Sequence, residues 1–344
     1  MSKASDYWAF FAEDARRIGS PLYARLAMGI RDDEALRALA ARRKPGQPAA
    51  NMILGAVHLL LLRGLDHPLT DYYASVGGTR AADDGDPFAL FRELVFAHER
   101  EIARLIETRA TNTNEVGRSA LLHPGFRVAG EVTGRPLSLI EIGPSAGLNM
   151  IWDRYGVRYL RGGRPVAAWN ADAPLVIDCE ARGERLPPLG PLPEIATRTG
   201  LELDPVDLDD AADRDWLRAL VWPEHVARMR RLEVAIALRR EAEIEIVAGD
   251  ALENLLGAMA AARREAMVCV YHTIAVYQFS AEMRATLEDL LTTASLRRPV
   301  LRLGFEMAQD HRYLLTLRHY DGGAIQERVL GEGQPHGAWI AWSA

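Results

Sequence analysis

The stretch Leu137-Ser-Leu-Ile-Glu-Ile-Gly-Pro-Ser-Ala-Gly-Leu-Asn149 constrains the fold of this chain more than any other. Leu137 to Ile142 is a short apolar run with the length and β-branched content of a buried strand. Gly143 to Gly147 supplies a tight turn, and Leu148 to Tyr155 continues with helical spacing. A buried strand, a glycine turn and a helix start form a concave site where a ligand can approach bare backbone. Several kinds of site share that layout, so the flanking chain has to decide among them.

Residues 1–130 read as helical, with no convincing strand. Tyr7 to Ile18 is amphipathic and is broken by Gly19-Ser-Pro21; Asp32 to Arg43 is stopped by Lys44-Pro-Gly-Gln-Pro48. Met52 to Leu62 is the most hydrophobic stretch, yet it falls short of the ~20 apolar residues a bilayer span needs. It reads as a buried core helix. Asp86-Pro87 is an N-cap with proline at the first helical position, and the helix it starts carries Leu90, Leu94, Val95, His98, Ile102, Leu105 and Ile106 on one face.

After about residue 130 the texture changes to alternating strand and helix patterns, the signature of a parallel sheet. Expected strands are Leu137–Ile142, Thr199–Val206, Glu243–Asp250, Met267–His272 and Pro299–Glu306. Tyr313–Tyr320 and Gly337–Trp342 are expected to close the sheet as an antiparallel pair. Helices are expected at Trp216–Val221, Pro223–Arg240, Ala251–Arg264 and Ala281–Leu296. Residues 157–195, rich in Gly, Pro and Arg, read as an inserted hairpin or irregular subdomain. The expected organisation is a helical domain or cap over 1–130 and an α/β domain over 131–344.

Composition removes several function classes. A net charge of −6 argues against a nucleic-acid backbone or an anionic membrane as the main partner. The two cysteines, Cys179 and Cys269, lie far apart without metal-ligand spacing, which argues against a disulfide framework or a zinc site and for a reducing cytoplasm. The first residues contain no apolar signal segment. A small-molecule substrate is the expected partner, with no metal; the oligomeric state is not legible.

Gly143-Pro-Ser-Ala-Gly147 matches the Gly-x-Ser-x-Gly elbow of serine hydrolases, with Ser145 as nucleophile and Asp250 and a later histidine as partners. The helix-only chain before it, and the missing His-Gly-Gly segment, argue against that reading. A dinucleotide fingerprint fails at Ser145 and Leu148, where glycines are required. The third reading is the acidic-x-Gly-x-Gly-x-Gly loop of class I S-adenosylmethionine-dependent methyltransferases. Glu141-Ile-Gly143-Pro-Ser145-Ala-Gly147 resembles it except at Ser145, a stand-in for a glycine whose task is close approach.

The chain after the loop extends this resemblance. Gly200-Leu-Glu202-Leu-Asp204-Pro205 is similar to the segment that ends such enzymes' second strand, whose acid takes both ribose hydroxyls. Glu202 stands at the acid position and Asp204 is its alternative. Val247-Ala-Gly-Asp250 is similar to the segment with the acid near the adenine amine, and Met267–Thr273 takes the place of the strand facing the methyl group. The resemblance implies a Rossmann-like, mostly parallel sheet, S-adenosylmethionine as cofactor, and Glu141, Gly143, Ser145, Gly147, Glu202, Asp204 and Asp250 as its binding residues.

At finer grain the whole chain resembles a bacterial family, domain of unknown function 2332. The residues that carry the resemblance are Gly19-Ser-Pro-Leu-Tyr23, Ala56-Val-His-Leu-Leu60, Thr113-Asn-Glu-Val-Gly-Arg118, Glu141–Asn149, Asp204-Pro-Val-Asp207, Trp222-Pro-Glu224 and Pro335-His-Gly-Ala-Trp339. That family implies no reaction.

The acceptor side has its own candidates, each with a plainer role beside it. Asn114, Glu115 and Arg118 lie in a polar linker that either reaches the ligand or forms a hydrogen-bonded turn. Asn149 and Asp153 are one turn apart after the loop and point either at the ligand or into solvent. His272 ends the fourth strand, as a general base or as a structurally satisfied histidine. His336 and Trp339 either wall the acceptor pocket or belong to the core. The arginines of 228–240 read as a solvated helix face. The resulting expectation is a methyltransferase-like enzyme acting on an unknown small molecule. A non-catalytic S-adenosylmethionine or nucleotide binder and a serine hydrolase are the alternatives.

Overall fold

The computed structural model describes residues 3–112 and 114–344. Thr113, the first residue of one motif above, and the two leading residues fall outside that range. The helices in chain order are α1 (Lys3–Arg17), α2 (Pro21–Asp32), α3 (Glu34–Ala40), α4 (Ala49–Leu62), α5 (Pro87–Ala97) and α6 (Glu99–Thr108). They continue as α7 (Ser119–Thr133), α8 (Ala211–Ala219), α9 (Val226–Arg240), α10 (Ala251–Ala261) and α11 (Ala281–Ser295). The strands are β1 (Leu137–Ile142), β2 (Gly156–Arg161), β3 (Arg164–Trp169), β4 (Val176–Arg182), β5 (Ile195–Glu202) and β6 (Glu245–Ala248). After them come β7 (Met267–Thr273), β8 (Val300–Met307), β9 (Tyr313–Asp321), β10 (Ala324–Gly333) and β11 (Trp339–Trp342). No strand precedes Leu137 among the described residues.

The chain divides into two units, one of 1–113 with 206–233 and one of 114–205 with 234–344. In the first, α4 is the central helix, buried from Met52 to Leu61. Its apolar length is covered by protein, with Trp216 and Trp222 of the returning segment in the same core. No helix among the described residues is long and apolar enough to cross a membrane. The single helix expected after Asp86 is broken at His98, which leaves helical geometry (φ −119°, ψ 25°). The motifs around Ser20, His58 and Glu224 have structural jobs here. Glu224 accepts from the Ser20 hydroxyl (2.5 Å) and the Leu22 N–H (2.8 Å) at the start of α2. His58 donates through Nδ1 to the Ala219 carbonyl (3.0 Å) and its Nε2 meets the Ser75 hydroxyl (2.7 Å). Burial pushes the His58 pKa down to about 4, so it braces as a neutral ring.

The second unit is a mixed α/β layer built on an eleven-stranded, mostly parallel sheet of order β3-β2-β4-β11-β10-β9-β8-β7-β1-β5-β6. β1, β5, β6, β7 and β8 run parallel, and β9 turns back against β8. Ile140 and Ile142 face one side of β1, where they join Leu255, Leu287 and Leu291 of α10 and α11 in one core. Glu141 faces the other side with Tyr271, whose ring meets Phe126 of α7 edge-on (5.1 Å). The alternation of β1 therefore sends its one acid to the α7 side.

Three expectations need correction. Of the two readings of the insertion the hairpin is present, as β2 with β3, but the segment is no separate subdomain: β2, β3 and β4 extend the sheet at one edge, with β4 parallel to β11. The two closing strands do not pair with each other, because β10 lies between β9 and β11. The segment after the glycine turn is a 3-10 helix, Leu148–Arg154, kinked at Ile151 (φ −108°, ψ 28°). Its first carbonyl, on Leu148, accepts from the Tyr155 hydroxyl (2.7 Å), an end-to-end clasp across the short helix.

Candidate functional site

Successive parallel strands leave β1 in both directions, through β5 and β6 on one side and β7 and β8 on the other. That makes the C-terminal end of β1 a topological switch point, where open α/β sheets bind ligands. The loops after β1, β5, β6, β7 and β8 lie at this edge. The loop after β10 joins them, because Gly333 of β10 and Met307 of β8 both register with Tyr313 on β9.

The β1 loop is held in an uncommon shape. Gly143, Ser145 and Gly147 all have positive φ (72°, 55° and 72°). A Cβ on Gly143 would stand 2.9 Å from the Ala275 Cβ, so glycine is required there by space as well as by backbone. Asn114 clamps the loop, donating to the Pro144 carbonyl (2.7 Å) and accepting from the Leu148 N–H (3.0 Å). On the β5 side the Ser145 N–H donates to Glu202 (2.6 Å). Ser145 is a non-glycine residue at positive φ, and its buried hydroxyl has no hydrogen-bond partner. The conformation and the orphaned hydroxyl each cost on the order of 1–3 kcal/mol.

Three acids lie at or near the C-terminal ends of β1, β5 and β6. Glu141 is buried and accepts the Tyr271 hydroxyl (2.9 Å). Burial, partly offset by that bond, pushes its pKa up to about 8, so the group is mostly protonated at neutral pH. Glu202 takes the Ser145 and Asp204 N–H groups, and burial holds its pKa above the ordinary range against those donors. Of the two ribose candidates, Glu202 is the one joined to the loop, while the Asp204 side chain is exposed. Asp250 caps α10, accepting from the Leu252 N–H (2.7 Å), so its capping role is real.

The linker motif and the C-terminal motif meet at the same edge. Glu115 accepts from the Gly117 N–H (3.0 Å) and lies 3.6 Å from His336 Nδ1. Arg118, buried, donates to the Pro335 carbonyl (2.8 Å) and to the Thr273 carbonyl at the end of β7 (3.1 Å). Asn149 accepts from the Ser119 hydroxyl (2.9 Å) and donates to the Glu115 carbonyl (3.3 Å). Asn114, Glu115, Arg118, Asn149 and His336 are thus brought together, as a frame around the β1 loop.

Other expected residues are engaged by partners of their own. Asp153 is turned to Arg198, which it holds with both oxygens (2.9 and 2.7 Å), and not to the loop or open solvent. Trp339 opens β11 with its ring under the Arg182 guanidinium (4.1 Å). His272 is buried, donates from Nδ1 to Glu306 (2.7 Å) and accepts at Nε2 from Arg302 (2.9 Å). Burial keeps its pKa below the ordinary value against the pull of Glu306. A neutral ring with both nitrogens engaged has no free lone pair for a proton, so the geometry gives His272 the bracing role.

Sequence reading missed Glu306 and Tyr277. Glu306, the last residue but one of β8, collects N–H groups from His272, Ala275 (3.0 Å), Val276 (3.0 Å) and Tyr277 (3.1 Å). It thereby holds the loop after β7, which begins at Ile274, a β-branched residue at φ 53°. That loop presents Tyr277, an exposed aromatic at the edge (46%). The signal for Glu306 was available: like Glu141, it is an acid closing a buried apolar strand.

A hollow of about 530 Å³ lies elsewhere, beside β5, β6 and α10, lined by Thr197, Thr199 and Ala258. Its acids, Glu243 and Glu245, are exposed and its arginine is the one bound to Asp153. No group of three or more metal-ligating side chains occurs among the described residues.

Comparison with curated proteins and with solved structures gives no match. The family described as "Uncharacterized protein conserved in bacteria (DUF2332)" matches residues 6–342, nearly the whole chain. The chain belongs to that family.

Proposed function

We propose that the chain binds S-adenosylmethionine at the switch-point edge and is a methyltransferase-like enzyme acting on a small molecule. One observation carries the reading: the loop after β1 and the acid ending β5 are joined directly, Ser145 N–H to Glu202, at 2.6 Å. A glycine-flanked turn bonded to a strand-end carboxylate suits a nucleoside, because the carboxylate accepts from both hydroxyls of a vicinal diol. The strand order around β1, with antiparallel strands beyond β8, and the acids ending β1 and starting α10 agree with it.

Methyl transfer asks little covalent chemistry of the protein. The bound sulfonium supplies an activated methyl group; the chain's residues align the acceptor and exclude water. On this reading Glu202 orients the ribose, Asn114 keeps the loop open in shape, and Tyr277 borders the acceptor. With His272 engaged on both nitrogens, acceptors that need no protein base fit best.

That same engagement favours a second reading, a binding protein without transfer. A serine hydrolase is not supported by geometry: among the described residues no histidine bonds the Ser145 hydroxyl, and Asp250 is spent on α10. Calorimetric titration with S-adenosylmethionine and S-adenosylhomocysteine tests the proposal. Wild type should bind both, and Glu202→Ala should weaken binding at least tenfold. No wild-type binding at millimolar ligand rejects it.

A further inference from the structure

Resting on the reading just given, we propose that the Ser145 hydroxyl is itself a ligand-binding group, donating a hydrogen bond to a ribose oxygen beside Glu202. Where the resembled loop has a glycine, this chain carries a side chain with a task.

Three observations meet at this residue. Ser145 adopts φ 55°, a conformation that glycine takes without strain. If close approach of backbone were the only requirement, glycine would serve better there. Its side chain is also buried, with 8% of the residue exposed. Finally, its Oγ has no hydrogen-bond partner in the folded chain. Buried hydroxyls are normally satisfied, so an orphan at a ligand-binding edge marks a bond that the chain leaves to something else.

The neighbours say which ligand atom suits it. The Ser145 N–H already points at Glu202 Oε2 (2.6 Å), while Oε1 takes the Asp204 N–H (3.3 Å). A vicinal diol arriving at Glu202 donates a hydrogen bond from each of its two hydroxyls to the carboxylate. Its own oxygens then need a donor, which a carboxylate cannot be. The Ser145 O–H, on the residue whose N–H bonds that same carboxylate, supplies the missing donor. Glu202 and Ser145 thus form a complementary pair, acceptor and donor, for one ribose edge. A glycine at this position keeps the acceptor and loses the donor.

Ser145→Gly and Ser145→Ala are compared with wild type by calorimetric titration, using S-adenosylhomocysteine and 5′-methylthioadenosine, which keeps the ribose but lacks the amino-acid end. Both variants should bind both ligands about five- to tenfold more weakly. Ser145→Gly should also melt at higher temperature than wild type without ligand, since it removes the strain and the orphan hydroxyl together. Unchanged affinity in both variants overturns the proposal while leaving the binding reading intact. A loss confined to S-adenosylhomocysteine overturns the ribose assignment in favour of the amino-acid end. Wild type that binds neither ligand removes the underlying reading and this proposal with it.

Discussion

Glu141 and Glu306 each stand one residue before the end of a parallel strand of one sheet, near the same edge, and have opposite fates. Glu306 takes N–H groups from one histidine and three backbone positions. Burial alone would raise its pKa, but those donors outweigh it and hold the group below the ordinary carboxylate range. Glu141 has the single neutral Tyr271 hydroxyl, and burial wins. The first carboxylate is part of the scaffold, a charge fully surrounded by donors. The second is kept uncharged by the fold, and a cation placed beside it would change its state. Counting donors around each acid thus separates structure from candidate function better than position in a motif does.

The largest expected effect comes from removing the saturated acid. Glu306→Ala strips the partner from four N–H groups and should destabilise the fold by about 3–5 kcal/mol. Urea denaturation measures this; a loss under about 1 kcal/mol would mean the donors find water and that Glu306 is no anchor.

Glu141 should reveal itself through pH. Its pKa is raised in the fold from the usual 4.5 to about 8, so the native state binds the proton more tightly than the unfolded chain does. The stabilising contribution is complete below the unfolded value and is lost as pH rises through the folded one, at up to about 1.4 kcal/mol per pH unit. Glu141→Gln should therefore flatten the stability profile between about pH 5 and 8. Parallel profiles for variant and wild type would show that Glu141 is ionised in the fold, and the contrast with Glu306 would collapse.

Asp250 offers the smallest test, because its acid is committed to a helix end. Asp250→Ala should cost about 1 kcal/mol, as loss of an N-cap does. Thermal melts give this value. A cost near zero would free Asp250 for the ligand role that its place after β6 suggests.

How much of this was legible depended on whether the cause was local. Buried parallel strands such as β7 were readable to within a residue, since every position of Met267–Thr273 is buried and apolar runs announce that. β10 was not. Its first six residues, Ala324 to Val329, are exposed on both faces, so the strand exists by pairing with β9 and leaves no burial pattern. The glycine turn itself was readable because turn chemistry is local. The fates of Asp153 and His272 were not, because Arg198 and Glu306 arrive from 45 and 34 residues away. Spacing along a chain says which face a residue takes, and it is silent on which distant partner saturates it.

The return of 206–233 to the helical unit has a consequence for the chain as it is made. The core around α4 includes Trp216 and Trp222, so it stays incomplete until those residues have left the ribosome. By then β1 to β5 have already emerged. An N-terminal domain ordinarily finishes folding before its successor begins. Here the first unit has to wait for a segment that is synthesised after β5, so five strands of the second unit emerge before the first unit can close its core.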